Sequence, residues 1–194
     1  MPLYVPEDCK TLKEAVKRVK QDSRIATIVL GKGEHVVVFK DKWGKDCNTL
    51  EISSAMRIVG RPDVPKEKIV VMGGIHFKEG IQGTCHLQHM TLREAKLSGV
   101  IGSSSFTMED VLVEQCGGGV VAWNGASITL IGAKTTVHHN CTEGYSNYYG
   151  LTVHGSSATI QLVSPLTKEQ VSMQSFLHLL MWVKRNRSIE RYTR

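Results

Sequence analysis

The chain is poor in aromatic side chains (6%), has only five prolines in 194 residues, and contains no long apolar run. Its longest such stretch, Leu179–Val183, falls far short of the about 20 residues a membrane-spanning helix needs. The five cysteines (Cys9, Cys47, Cys85, Cys116 and Cys141) are odd in number, widely spread and without a C-x-x-C pair. That argues against a disulfide framework or a zinc site, and they read as small buried hydrophobes in a reducing compartment. The opening residues, Met1–Asp8, lack the basic and apolar regions of a secretory signal, so an intracellular, cytoplasmic location is expected. No G-x-G-x-x-G, P-loop, G-x-S-x-G elbow or H-E-x-x-H occurs, and no cofactor is expected.

The formal charge of +6 suggests nucleic-acid binding until it is located. Lys184, Arg185, Arg187, Arg191 and Arg194 against Glu190 put +4 of it in the last eleven residues. The basic character belongs to a tail, and no nucleic-acid partner is expected.

What the chain has instead is repetition. Leu87-x-x-Met90-x-Leu92 returns as Met108-x-x-Val111-x-Val113, 21 residues later. Ser105-Phe106-Thr107-Met108 returns as Ser127-Ile128-Thr129-Leu130, 22 residues later. Gly99-Val100 and Gly119-Val120 end the two main copies alike. A period near 20 residues is the mark of a solenoid, in which each unit stacks on the next.

The rest of the chain fits that frame. Thr11-Leu12-Lys13-Glu14 has the form of a capping box, and Leu12, Ala15, Val16 and Val19 follow at helical spacing. An amphipathic helix over about 11–22 is predicted, either as a lid on the first coil or as a binding helix. Strands are predicted at 25–30, 36–39, 56–60, 69–72, 75–77, 150–153 and 159–163, with Asp41–Cys47 a polar excursion. Eighteen glycines and short strands without intervening helices point to a parallel coil, since an ordinary parallel sheet needs helical crossovers. Thr167-Lys168-Glu169-Gln170 and the spacing of Phe176, Leu177, Leu180 and Val183 predict a C-terminal helix, read as a cap or as an interfacial membrane helix. The expected organisation is a cap with its helix over 1–24, coils over 25–166, and a helix with a basic tail over 167–194.

Candidate functional residues follow from aligning the copies at Leu92, Val113 and Val137. The third residue after each (Ala95, Cys116, Asn140) should point inward at a bend, where a buried amide can satisfy its neighbours. The columns Arg93/Glu114/His138 and Glu94/Gln115/His139 should lie on an accessible edge. Glu94, Glu114 and His139 are the candidates for acid–base catalysis, against a reading in which they form a solvated edge. His138 and His139, joined by His154 or His89, could hold a metal only if a turn intervenes, because adjacent strand residues face opposite ways. No metal site is therefore assigned. The third copy also inserts Glu143–Tyr149, and Tyr145, Tyr148 and Tyr149 with His138 and His139 form the binding candidate. Tyrosines folded back over the coil are the other reading.

The phrases Thr107–Val120 and Ile128-Thr129-Leu130, and the helix leading to Ile28–Glu34, resemble right-handed parallel β-helix proteins of the pectate-lyase-like superfold. The wording of 85–165 resembles uncharacterised algal β-helix domain proteins. The resemblance implies an all-β fold: a single-stranded right-handed parallel β-helix solenoid with capping helices. It also implies carbohydrate as a ligand class. The calcium-dependent lyases of that superfold cluster aspartates, and between 75 and 165 this chain has one, Asp110. The expected function is a non-catalytic module presenting a sheet face and a Tyr-rich loop to a glycan or protein. The alternative is a polysaccharide-active enzyme (lyase, hydrolase or epimerase). Oligomeric state is not legible.

Overall fold

Parallel pairing between strands about one repeat apart organises the described part of the chain, seen in a computed structural model that describes residues 1–40, 46–141, 150–166 and 169–171. The first tier holds β1 (Pro2–Val5) and α1 (Leu12–Gln21); the second holds β2 (Thr27–Leu30), β3 (Gly33–Val36), β4 (Phe39–Lys40), β5 (Asp46–Cys47) and β6 (Thr49–Ile52). The third holds β7 (Arg57–Gly60), β8 (Ile69–Met72) and β9 (Gly74–Phe77). The fourth and fifth are β10 (Cys85–Arg93) with β11 (Ser98–Gly102), and β12 (Phe106–Glu114) with β13 (Gly118–Ala122). Next come β14 (Ser127–Ile131), β15 (Thr136–His138) and β16 (Leu151–Val153), then β17 (Thr159–Val163).

Ten of these strands form one sheet, running β1-β2-β7-β10-β12-β14-β17 with β3, β8 and β15 beside it; β6, β9, β11, β13 and β16 form a second. All these pairs are parallel, and among the described residues only the short β4–β5 pair is antiparallel. The arrangement is compatible with a β-helix-like solenoid. Among the described residues, no helix is long and apolar enough to cross a membrane.

The repeat is the register. Leu87, Met90 and Leu92 lie directly across from Met108, Val111 and Val113, and all six are fully buried. The 22-residue echo places Phe106 on Ile128 and Met108 on Leu130. The two spacer residues in Φ-x-x-Φ have a physical cause. His89 and Asp110 are left-handed (φ 56° and 52°), which bends β10 and β12 and returns the next residue to the core. Histidine and aspartate are among the few non-glycine residues enriched there.

The second bend repeats the device with Gly73, Glu94, Gln115 and His139, all at positive φ. The glycine that follows answers to space. A Cβ on Gly99 would lie 2.4 Å from Val113 Cγ1, and one on Gly119 would lie 2.0 Å from the Gly150 carbonyl oxygen.

The N-terminal helix forms as its sequence predicts, with Leu12, Ala15, Val16 and Val19 buried. Thr11 Oγ1 accepts from Glu14 N–H at 3.2 Å, but Glu14 reaches back to Lys10 N–H (3.1 Å), one residue earlier than a capping box requires. Two strand positions differ from expectation. In place of Val36–Phe39 the strand is Gly33–Val36, because pairing with Ile69–Met72 fixes its register and leaves Val36 and Val38 exposed. Thr49–Ile52 is a strand that its mixed composition does not announce; Leu50 and Ile52 face inward opposite Ile75 and Phe77. The expected C-terminal helix lies outside the described residues, apart from a 3-10 turn at Glu169–Val171.

Candidate functional site

Three clusters of polar side chains stand along the bends and faces of the sheets. The first is the edge that the aligned repeats predict. Glu114 lies across from Arg93 on one side and His138 on the other. Arg93 Nε and Nη2 both donate to Glu114 Oε1, at 2.9 and 2.5 Å. Glu94, Gln115 and His139 sit one residue further on, exposed at the left-handed bend.

His138 and His139 meet there, Nδ1 to Nδ1 at 2.6 Å. The bend at His139 supplies the turn that an extended strand lacks, so one ring nitrogen donates to the other. Burial, then the neighbouring His139, lowers the pKa of His138, against an opposing pull from Glu114. The suggested further ligands lie elsewhere. His154 packs at a tilt against Trp123 (centroids 4.6 Å apart), and His89 is engaged at the first bend. Among the described residues no three metal-ligating side chains converge.

Behind this edge the inward column is structural, as its position implies. Asn140 Oδ1 accepts from Cys116 N–H at 3.0 Å and Asn140 Nδ2 donates to the Val113 carbonyl at 3.0 Å, tying one tier to the next. Burial pushes the Cys116 thiol up to about 12, which makes it inert as a nucleophile. Tyr145, Tyr148 and Tyr149 lie outside the described residues.

The second cluster was not legible as a site. Asp110 Oδ2 lies 2.6 Å from His89 Nδ1, and Asp110 Oδ1 accepts from Lys66 Nζ at 2.8 Å. His89 Nε2 lies 2.7 Å from the Val64 carbonyl, so both ring nitrogens face acceptors and only the doubly protonated ring donates to both. Lys66 also donates to the Lys134 carbonyl, and Thr91 Oγ1 to the Lys66 carbonyl at 3.1 Å. Burial raises the Asp110 carboxyl, but hydrogen bonds from Lys66 and His89 outweigh it and the net shift is downward. The cluster pins the 61–68 connection across the bend. Its sequence signal was there: the second spacer of Φ-x-x-Φ is histidine in one copy and aspartate in the next.

Beside it the outer face of the larger sheet forms a groove of about 770 Å³, with Arg57, Gln88, His89, Glu109, Asp110 and Lys134 on its walls. Gln88 Nε2 donates to Glu109 Oε2 at 3.3 Å, and His86 Nε2 lies 3.8 Å from the same oxygen. Burial, then Arg57, lowers the pKa of His86. Donors and acceptors therefore alternate on rigid strands about 4.8 Å apart.

No known relative matches. Neither a family model, nor a curated protein, nor a solved structure is similar to this chain. The geometry alone carries the functional reading.

Proposed function

We propose that the chain is a right-handed parallel β-helix of the pectate-lyase-like kind, acting as a non-catalytic module that binds a glycan on the face of its larger sheet. Parallel strands joined in one sheet are right-handed in about 98% of cases, which supports the handedness. The observation that carries the function is the groove over Arg57, Gln88, Glu109 and Lys134. It is open and concave, and it offers both hydrogen-bonding senses from strands that cannot rearrange, as a polyhydroxylated ligand requires. Protein-binding hot spots on a flat face are enriched in large aromatic and apolar anchors. The exposed large apolar residues (Trp123, Leu97, Val36 and Val38 among them) do not line this groove.

The binding rather than catalytic reading rests on how the acids are held. Glu114 is paired with Arg93, and Asp110 is shared by Lys66 and His89 with its carboxyl lowered. A general acid working near neutral pH needs the opposite shift. In this reading Tyr145, Tyr148 and Tyr149 add stacking surface, and Tyr148→Ala with Tyr149→Ala weakens binding. Calorimetric titration with acidic and neutral polysaccharides, with the products analysed, tests the proposal. Binding without turnover that weakens in Arg57→Ala supports it, and turnover that vanishes in Glu114→Gln overturns it.

That last outcome belongs to the second reading, a carbohydrate-active enzyme using Glu94, Glu114 and His139. One observation favours it: Glu114, only 15% exposed, sits in register between a guanidinium and an imidazole.

A further inference from the structure

The smaller sheet ends at β6, and a sheet edge presents backbone N–H and C=O groups without partners. Which groups these are follows from the ladder. Gly74 N–H donates to the Asn48 carbonyl (2.7 Å) and Lys78 N–H to the Ile52 carbonyl (2.8 Å). Residues 48, 50 and 52 thus face β9, and the backbone groups of Thr49, Glu51 and Ser53 face away. Thr49 Oγ1, at the head of the same strand, is buried without a hydrogen-bond partner.

The helix α1 fills the first tier on this side and packs on β1 and β2. Between α1 and β6 lies a groove of about 700 Å³ whose floor reaches down to the buried side chains of Val16, Leu50 and Met56. Its charge is lopsided. Glu14 is taken by Arg18 (3.0 Å) and Glu51 by Lys78 (3.2 Å). Lys17 and Lys20, both exposed on the rim, have no ion-pair or hydrogen-bond partner among the described residues.

We infer that this edge takes an extended acidic peptide from a partner protein, which adds as a sixth strand to the smaller sheet. Main-chain bonds to Thr49, Glu51 and Ser53 give the affinity, and alternate side chains give the specificity. One set of side chains enters the groove above Val16, Leu50 and Met56; the acidic set meets Lys17 and Lys20. The chain's own C-terminal stretch is excluded as the occupant by charge, since it is itself basic. This groove shares no lining residue with the one proposed for a glycan, so either inference can fail without the other.

The test is fluorescence anisotropy with a labelled, acetylated heptapeptide EVEVEVE, alongside amide hydrogen exchange. The expected result is saturable binding, weakened about tenfold by K17E/K20E and by raised salt, with slowed exchange at Thr49, Glu51 and Ser53. The double variant changes only exposed helix positions, so circular dichroism should show it folded. Equal binding of KVKVKVK, or of EVEVEVE with N-methylated amides, overturns the inference. So does the absence of binding, including the case where the protein pairs with a second copy of itself through this edge.

Discussion

His89 and Asp110, 21 residues apart in sequence, are stacked neighbours with Nδ1 and Oδ2 2.6 Å apart, both in left-handed backbone at the same bend. The pair links the repeat to the architecture. The sharp turn that shapes each tier is occupied by residues that tolerate it, and their side chains then bond across tiers to Lys66 and the 61–68 connection.

Asp110→Asn isolates the charge, because asparagine tolerates the same backbone. Lys66, 12% exposed, loses its counter-charge. The expected cost is about 1.5–3 kcal/mol in urea unfolding, the range for hydrogen bonds to charged groups. A change within about 0.5 kcal/mol, as for an ordinary surface site, would show that the cluster braces nothing.

The same carboxylate sets a pH dependence. Its folded pKa lies below the ordinary 3.8, so its contribution is full above that value and is lost as pH falls through the lower folded one. Acid titrations of stability should show a shallower decline below about pH 4 for Asp110→Asn than for the wild type. Superimposable acid limbs would contradict the assignment.

Two glycines separate steric from conformational need. At Gly119 a Cβ would meet the Gly150 carbonyl oxygen at 2.0 Å and Val137 Cγ1 at 2.6 Å, whereas at Gly132 (φ 86°) nothing lies within 4 Å. Gly132→Ala should cost about 1–2 kcal/mol of backbone strain alone. Gly119→Ala should cost more than that or prevent folding, measured by thermal melts of the two variants. The reverse order would mean that the tiers are spaced differently.

Asn140 makes two buried backbone bonds, to Cys116 N–H and the Val113 carbonyl. Truncation to alanine leaves both groups unsatisfied, at about 2–4 kcal/mol in all. Gln115→Ala, at the exposed bend beside it, should stay within about 0.5 kcal/mol. Equal effects at the two positions would remove the inward column from the account.

Much of the fold was legible because burial in stacked strands is a direct function of sequence period. Leu87, Met90 and Leu92 recur as Met108, Val111 and Val113 because each pair shares one slot in the core. Thr49–Ile52 escaped because polar Thr49 and Glu51 alternate with Leu50 and Ile52, leaving only those two as apolar signal. The Arg93–Glu114–His138 column was legible from the alignment of copies, since residues in one slot become neighbours across tiers. The Lys66–Asp110–His89 cluster was not, because Lys66 reaches it from a connection outside the repeat. The groove was hidden for a related reason: Lys134 and Pro165 wall it from irregular segments that carry no period.

Backbone amide shift mapping by NMR with a soluble oligosaccharide tests the central claim most directly. Saturable shifts are expected, concentrated at Arg57, His86, Gln88 and Glu109, with the oligosaccharide recovered unchanged. Shifts confined to other surfaces, or the appearance of cleaved sugar during the titration, would contradict it.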